Sequence, residues 1–259
     1  MKTILLAGGL GTRLSEETTV KPKPMVEIGG MPILWHIMRC YAGYGYTDFS
    51  VALGYKGEVI KEFFLNYKLH KSDMTISLAS GAIRYENDQS EDWTVGLHDT
   101  GAGSMTGGRL LRLKKLFKPG DTFMLTYGDG VSDVDIDKLV AFHKAHGKIA
   151  TLTAVRPPAR FGSIVAEPDG RILEFKEKPQ IGEGWINGGF FVFNYEVFDY
   201  LKEGDQTILE KEPLEGLTRD NQLRAFEHQG YWQCMDTVRD RDSLNEIWKQ
   251  GNAPWLPKR

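Results

Sequence analysis

The chain has 259 residues, a length suited to one large domain or to a large domain with an elaboration. Its 41% apolar and 26% charged residues are ordinary globular composition, which excludes wholesale disorder, and its net charge of −3 argues against a nucleic-acid binder, which normally advertises a strongly basic face. Two cysteines, Cys40 and Cys234, are too few for a disulfide framework or a cysteine metal site, and no apolar run approaches the roughly 18 residues of a membrane span, so a soluble cytoplasmic protein is expected.

Lys2 to Ala7 is a short apolar run closed by Gly8 and Gly9, the pattern of a strand buried on both faces. It is too short for a secretion signal, which the first residues superficially resemble. Pro32 opens a helical segment that carries Ile33, Leu34, Ile37, Met38 and Tyr41 on one face and ends near Gly43 and Gly45. Phe49 to Leu53 reads as a strand and Glu58 to Tyr67 as an amphipathic helix. Met74 to Leu78 and Trp93 to His98 read as further strands with an unassigned stretch between them. Arg109 to Phe117 reads as a helix, Phe123 to Tyr127 as a strand, Ile136 to His146 as a helix, and Ala150 to Val155 as a strand. Such alternation predicts an α/β fold with a mostly parallel sheet flanked by helices. From about Arg156 the texture changes to short strands (Ser163 to Ala166, Ile172 to Phe175, Phe190 to Phe193) broken by glycine and proline, a β-rich elaboration. Helices resume at Tyr195 to Lys202 and Asp240 to Lys249. We read residues 1–259 as a single α/β domain with a substrate-binding elaboration from about residue 156.

The stretch Leu6-Ala7-Gly8-Gly9-Leu10-Gly11-Thr12-Arg13-Leu14, followed by Lys21-Pro22-Lys23-Pro24, is the strongest chemical signal. Glycines after a first strand let backbone amides approach a phosphate and point their N–H groups at it. The guanidinium of Arg13 can fork two phosphate oxygens, and Lys23 is held between two prolines. The stretch is neither GxxxxGK[ST] nor GxGxxG. A solvated arginine in a glycine turn is the bland alternative, and Arg13 and Lys23 together weigh against it. Asp129, between Gly128 and Gly130 at the end of a predicted strand, sits where α/β sheets place ligands, although an aspartate between glycines is ordinarily a turn residue. Asp133, Asp135 and Asp137 have the alternate spacing of a calcium loop, but Lys138 stands where that loop needs glycine, so a helix cap is the better reading. His143 and His146, three apart, lack a third ligand and read as surface or half-buried residues.

The GGLGTRL segment with KPKPMVEIGGMPILWHIM resembles the signature of the sugar-1-phosphate nucleotidyltransferase family, and the match runs over nearly the whole chain. Met105-Thr106-Gly107-Gly108-Arg109-Leu110, Tyr127-Gly128-Asp129-Gly130 and Tyr231-Trp232-Gln233-Cys234-Met235-Asp236-Thr237 are similar to the branch of that family that uses CTP. The resemblance implies a nucleotidyltransferase fold and a Mg²⁺-dependent reaction of CTP with α-D-glucose 1-phosphate. It would yield pyrophosphate and CDP-glucose for deoxysugars of surface polysaccharides such as the lipopolysaccharide O-antigen. It implies Mg²⁺ ligands at Asp129 and Asp236. Catalytic roles fall to Arg13, Lys23, Asp129 and Lys178, and nucleotide contacts to Leu6 through Arg13 (Leu6, Ala7, Gly8, Gly9, Leu10, Gly11, Thr12, Arg13), Lys23, Ser104, Arg109 and Gly128. The Glu174-to-Pro179 run resembles the family's EKP motif, which assigns Glu177 to the sugar and Lys178 to its phosphate. Asn187, Gly188 and Gly162 (in Arg160-Phe161-Gly162) match sugar-binding segments, with an Asn-Gly turn as the bland alternative for Asn187-Gly188, so the resemblance assigns residues 1–155 mainly to the nucleotide and 156–240 mainly to the sugar phosphate. Cys234 is a departure, because proline is expected beside the metal aspartate. The same reaction with UTP or dTTP is the nearest rival, and a glycosyltransferase consuming a sugar nucleotide is a more distant one. The family also implies a homo-oligomer, with a hexamer as the candidate assembly and Phe64 to Asp92 as the candidate contact.

Overall fold

A computed structural model describes residues 1–11, 14–157, 163–167, 171–176 and 184–256. In chain order the strands are β1 (Thr3–Ala7), β2 (Glu27–Ile28), β3 (Met31–Pro32), β4 (Asp48–Leu53), β5 (Asp73–Ile76), β6 (Ile83–Glu86), β7 (Thr94–Asp99), β8 (Thr122–Tyr127), β9 (Gly130–Ser132), β10 (Ala150–Val155), β11 (Ser163–Ala166), β12 (Ile172–Lys176), β13 (Ile186–Asn194), β14 (Leu223–His228) and β15 (Trp232–Cys234). The helices are α1 (Ser15–Thr18), α2 (Ile33–Ala42), α3 (Gly57–Leu65), α4 (Tyr67–Lys71), α5 (Thr106–Arg112), α6 (Ile136–His146), α7 (Glu212–Arg219) and α8 (Val238–Lys249).

A seven-stranded sheet in the order β14-β10-β13-β8-β1-β4-β7 forms the centre. The pairings β8–β1, β1–β4, β4–β7 and β10–β14 are parallel, whereas β13 runs against both β8 and β10. The mostly parallel α/β sheet expected from the alternation is thus present, and β10, β13 and β14 extend the same sheet with the second half of the chain.

The pleat of β1 sends Leu5 and Ala7 into one core and Ile4 and Leu6 into the other, which is why Ile4 to Ala7 had to be apolar throughout. On the first face α2 packs Ile33, Leu34, Ile37 and Met38 against Phe49, Val51 and Phe190, joined by Leu139 of α6 and Leu244 of α8. On the second face Leu110 of α5 and Leu214 and Leu217 of α7 cover Phe123, Phe191 and Phe193.

Helix ends follow their local chemistry. Asp135 caps α6, its side chain accepting from Lys138 N, and Gly147 closes that helix in the left-handed conformation. The acidic cluster is therefore a cap, as expected, with Asp133 paired instead to His228 at 2.9 Å. Thr237 and Asp240 form a capping box at the start of α8.

Several elements differ from the sequence reading. The expected helix Arg109 to Phe117 divides into α5 and a 3₁₀ turn at Lys114–Leu116, and Tyr195–Tyr200 is 3₁₀ rather than α. The unassigned stretch before Trp93 contains β6, which pairs with β5 in a hairpin whose residues are all exposed. Strand β14 and helix α7 are elements the sequence reading passed over. His143 is buried, not at the surface, with its Nδ1 2.8 Å from Thr151 Oγ1 and its Nε2 3.1 Å from Asn194 Oδ1.

Candidate active site

The ends of β1 and β8 lie side by side, so the Gly8-Gly9 loop and Asp129 open on the same edge of the sheet. Gly128 is required there by close approach, because a Cβ at that position would lie 2.7 Å from the carbonyl oxygen of Leu6. Strand β9 follows at once and pairs with β15, and Met235 N donates to Asp129 O at 2.8 Å. That pairing carries Asp236, more than a hundred residues later in the chain, to the side of Asp129.

Lys23 stands between the two carboxylates. Pro22 and Pro24 stiffen the 3₁₀ turn Lys23–Met25. The ammonium donates to Asp129 Oδ2 and Asp236 Oδ1, each at 2.6 Å. Burial lowers the Lys23 pKa, and the two carboxylates more than offset it, so the amine stays protonated. Cys234 Sγ lies 3.8 Å from Asp236 Oδ2, and burial, reinforced by that carboxylate, pushes its pKa up to about 12. The thiol is therefore a neutral wall group where proline was expected.

Two cavities meet at this point. The first, about 340 Å³, is lined by Leu6, Ala7, Gly8, Gly9 and Gly11 on one side and by Ser104, Met105, Thr106 and Arg109 on the other, with Lys23, Tyr127, Gly128, Asp129 and Asp236 at its floor. The second, about 330 Å³, includes Asn187, Gly188, Trp232 and Cys234. Tyr127, Asp129 and Asp236 line both.

Arg109 organises the first cavity. It is almost fully buried, and its terminal nitrogens donate to the carbonyl oxygens of Gly8, Leu53, Gly101 and Ala102 and to Thr100 Oγ1. A Cβ on Gly8 or Gly54 would fall 2.1 or 2.3 Å from its Nη1, so those glycines vacate the space the guanidinium fills. Arg109 thereby ties the loop after β1 to the ends of β4 and β7. Ser104 Oγ likewise donates to Thr100 O at 2.5 Å. Both residues line the cavity with their polar atoms engaged by the protein's own backbone.

The second cavity is built on a strand, not a turn. Asn187, Gly188 and Gly189 lie in β13, opposite a register shift between Leu152 and Ala154 of β10. Gly189 has φ +81°, and a Cβ there would meet the ring of Tyr127 at 2.5 Å. Trp232 Nε1 donates to Gly188 O at 2.8 Å and fixes that backbone from β15.

Of the residues expected from sequence, Leu6, Ala7, Gly8, Gly9, Gly11, Lys23, Ser104, Arg109, Gly128, Asp129, Asn187, Gly188 and Asp236 line the joined cavities. Leu10 is exposed and absent from the lining. Thr12, Arg13, Gly162, Glu177 and Lys178 lie outside the described residues, as do Arg160 and Phe161. Sequence reasoning missed Glu210, which reaches the site from the turn before α7 and hydrogen-bonds both Tyr127 and Thr106. Its local context, Glu210-Lys211-Glu212, reads as an ordinary charge run.

The family model described as nucleotidyl transferase matches residues 2–240, which contain every element of both cavities. The chain belongs to the nucleotidyl transferase family. The curated glucose-1-phosphate cytidylyltransferase of Salmonella typhi is 54% identical over 98% of each chain. A mannose-1-phosphate guanyltransferase of Neurospora crassa is 32% identical, covering 99% of this chain and 68% of its own. Among solved structures, HddC from Yersinia pseudotuberculosis superposes with a TM-score of 0.70 at 23% identity, over 95% of this chain and 99% of that one, which is a likeness of fold. The resemblance drawn from the glycine-rich loop and the YWQCMDT segment is thus borne out along the length of the chain.

Proposed function

We propose that the protein joins CTP and α-D-glucose 1-phosphate into CDP-glucose and pyrophosphate, a sugar nucleotide suited to deoxysugar synthesis in the cytoplasm. One observation carries the reading: Lys23, Asp129 and Asp236 converge where two cavities of suitable size meet, in a chain 54% identical to a curated enzyme of that name.

The reaction needs no side-chain nucleophile, because the sugar phosphate itself attacks the α-phosphorus in line. The chain's task is to position two polyanions and to offset their charge. The first cavity receives the nucleotide, with the amides of the Gly8-to-Gly11 loop turned to its phosphates. Lys23 meets the α-phosphate at the junction, and Arg13 binds the departing pyrophosphate. The second cavity receives glucose against Asn187 and Gly188, with Glu177 on the sugar and Lys178 on its phosphate. Two carboxylates that already converge on a cation, the Lys23 ammonium, form the hard oxygen donor set that suits Mg²⁺. When bound by Asp129 and Asp236, Mg²⁺ supplies charge neutralisation to the nucleotide phosphates.

Pyrophosphate release from glucose 1-phosphate and Mg²⁺, compared among CTP, UTP, dTTP and GTP, tests the reading. Turnover confined to CTP, or at least tenfold in its favour, is expected. Equal or better turnover with another nucleotide would overturn the base assignment.

The same reading includes a homo-oligomer. The β5–β6 hairpin carries Met74, Ile76, Ile83 and Tyr85, all exposed, and Leu78 at its tip is 95% exposed. A two-stranded hairpin is marginal alone in water, so an apolar one favours cover by another copy. Among the described residues no helix is long and apolar enough to cross a membrane.

A further inference from the structure

Glu210 lies outside every motif discussed above and lines neither cavity, yet its carboxylate bonds Thr106 of the first cavity and Tyr127, which lines both. Oε1 accepts from the Tyr127 hydroxyl at 2.5 Å, and Oε2 accepts from Thr106 Oγ1 at 2.6 Å. Thr106 begins α5 on the nucleotide side, and its Oγ1 in turn accepts from Leu209 N at 2.9 Å. The amides of Gly107 and Gly108 donate to Thr207 O, so the 207–210 segment is clamped to the first turn of α5. A Cβ on Gly108 would fall 2.3 Å from the backbone oxygen of Asp205, which leaves this clamp little freedom to shift.

On the other side the polarity of Tyr127 matters. A phenol has one hydrogen, and here it is given to Glu210. Its oxygen can only accept elsewhere, and it accepts from Asn187 Nδ2 at 3.1 Å. Asn187 Oδ1 accepts from Gly189 N at 2.9 Å. The amide is therefore held from both ends, with its remaining Nδ2 hydrogen and Oδ1 lone pair left for a ligand. If Tyr127 turned its hydrogen toward Asn187 instead, it would call for the opposite end of the amide, against the Gly189 N–H that holds Oδ1.

From this we infer that Glu210 is a positioning residue for the sugar: through Tyr127 it sets the donor and acceptor orientation that Asn187 presents to the hexose hydroxyls, and through Thr106 it locks that orientation to the nucleotide-side helix. The inference rests on the reading of the second cavity as the glucose site.

Steady-state kinetics of wild type, Glu210→Ala, Glu210→Gln and Tyr127→Phe test it, with CTP and glucose 1-phosphate varied separately. Glu210→Ala and Tyr127→Phe should each raise KM for glucose 1-phosphate about tenfold, the effect of ~1.4 kcal/mol, while KM for CTP stays within about threefold. Glu210→Gln should recover most of the loss, because its carbonyl still accepts from Tyr127 and its amide can reach Thr106. The double variant Glu210→Ala/Tyr127→Phe should be no worse than either single change. Tyr127→Phe preserves the ring packing, so it decides the matter even if Glu210→Ala fails to fold. Parallel rises in both KM values, no rise in either, or a glutamine variant as impaired as alanine would overturn the assignment. A wild type that releases no pyrophosphate would instead refute the glucose reading, and calorimetric binding of glucose 1-phosphate to the same proteins then decides the positioning role by the same comparison.

Discussion

Replacing Lys23 by methionine keeps the apolar stem and removes the charge that joins Asp129 to Asp236. The ammonium is 2.6 Å from one oxygen of each carboxylate, and the three side chains are 11%, 32% and 14% exposed in the order Lys23, Asp129, Asp236. At an effective dielectric of about 20, each contact is worth roughly 6 kcal/mol of gross attraction. Desolvation of the three ions offsets much of it, at several kcal/mol per ion. What the substitution changes is the remainder, because two carboxylates then face each other with no cation between them. Breaking a buried pair costs on the order of 3 to 5 kcal/mol, and the partial exposure of Asp129 argues for the lower end, about 3. For a protein of this size that is a fall of roughly 6 to 10 °C in the melting midpoint. Thermal unfolding followed by far-ultraviolet circular dichroism, without divalent ions, reads the difference. Lys23→Met/Asp236→Asn should melt above the single variant, since one of the two opposed charges is gone. A single variant that melts with wild type, or a double variant that melts lower still, would show that the triad does not hold the two strands' ends as argued.

Millimolar Mg²⁺ should raise the midpoint of Lys23→Met more than that of wild type, where the ammonium competes for the same oxygens; equal shifts in differential scanning fluorimetry would contradict that competition. His36 gives a pH dependence. Its Nε2 is 2.8 Å from Ile28 O and its Nδ1 accepts from Trp255 Nε1, a donor-only group, so burial and this geometry hold the imidazole neutral with its pKa lowered to about 4 from 6.5. Between those values the unfolded chain binds the extra proton and the folded one does not, so stability falls as the pH drops through that window. The fall is about 3 kcal/mol at ~1.4 kcal/mol per pH unit. Urea titrations at pH 7 and pH 4.5 should show it, and His36→Gln, which can keep both hydrogen bonds, should flatten the slope. Gly128→Ala should cost about 2 kcal/mol and most of the activity, because its Cβ would push β8 away from Leu6 O; a well-folded, fully active alanine variant would refute the close-approach argument. Ile76→Asp on the hairpin should reduce the mass seen by light scattering without lowering the helix content, and an unchanged mass would remove the hairpin from the subunit contact.

Sequence alone determined the alternating α/β order, the double burial of β1, the caps of α6 and the family, because each is written in short-range patterns: apolar period, a capping aspartate, glycines next to a fixed lysine. It also marked Lys23, Asp129 and Asp236 one by one. Only the tertiary structure decided that these three meet, because a β9–β15 ladder joins segments about a hundred residues apart and no local signal encodes that pairing. The same holds for Arg109. A basic residue in a glycine-rich segment reads as a ligand contact, and burial among backbone carbonyls turned it into the tie that shapes the cavity wall. Asn187-Gly188 matched a sugar-binding segment with an ordinary turn as its bland alternative, until β13 ran antiparallel to both neighbours and made the glycines points of close contact with Tyr127 and Val155. Glu210 was illegible for the plainest reason: a carboxylate in a charge run has the same sequence signature whether it meets water or a tyrosine 83 residues away, and only packing distinguishes the two.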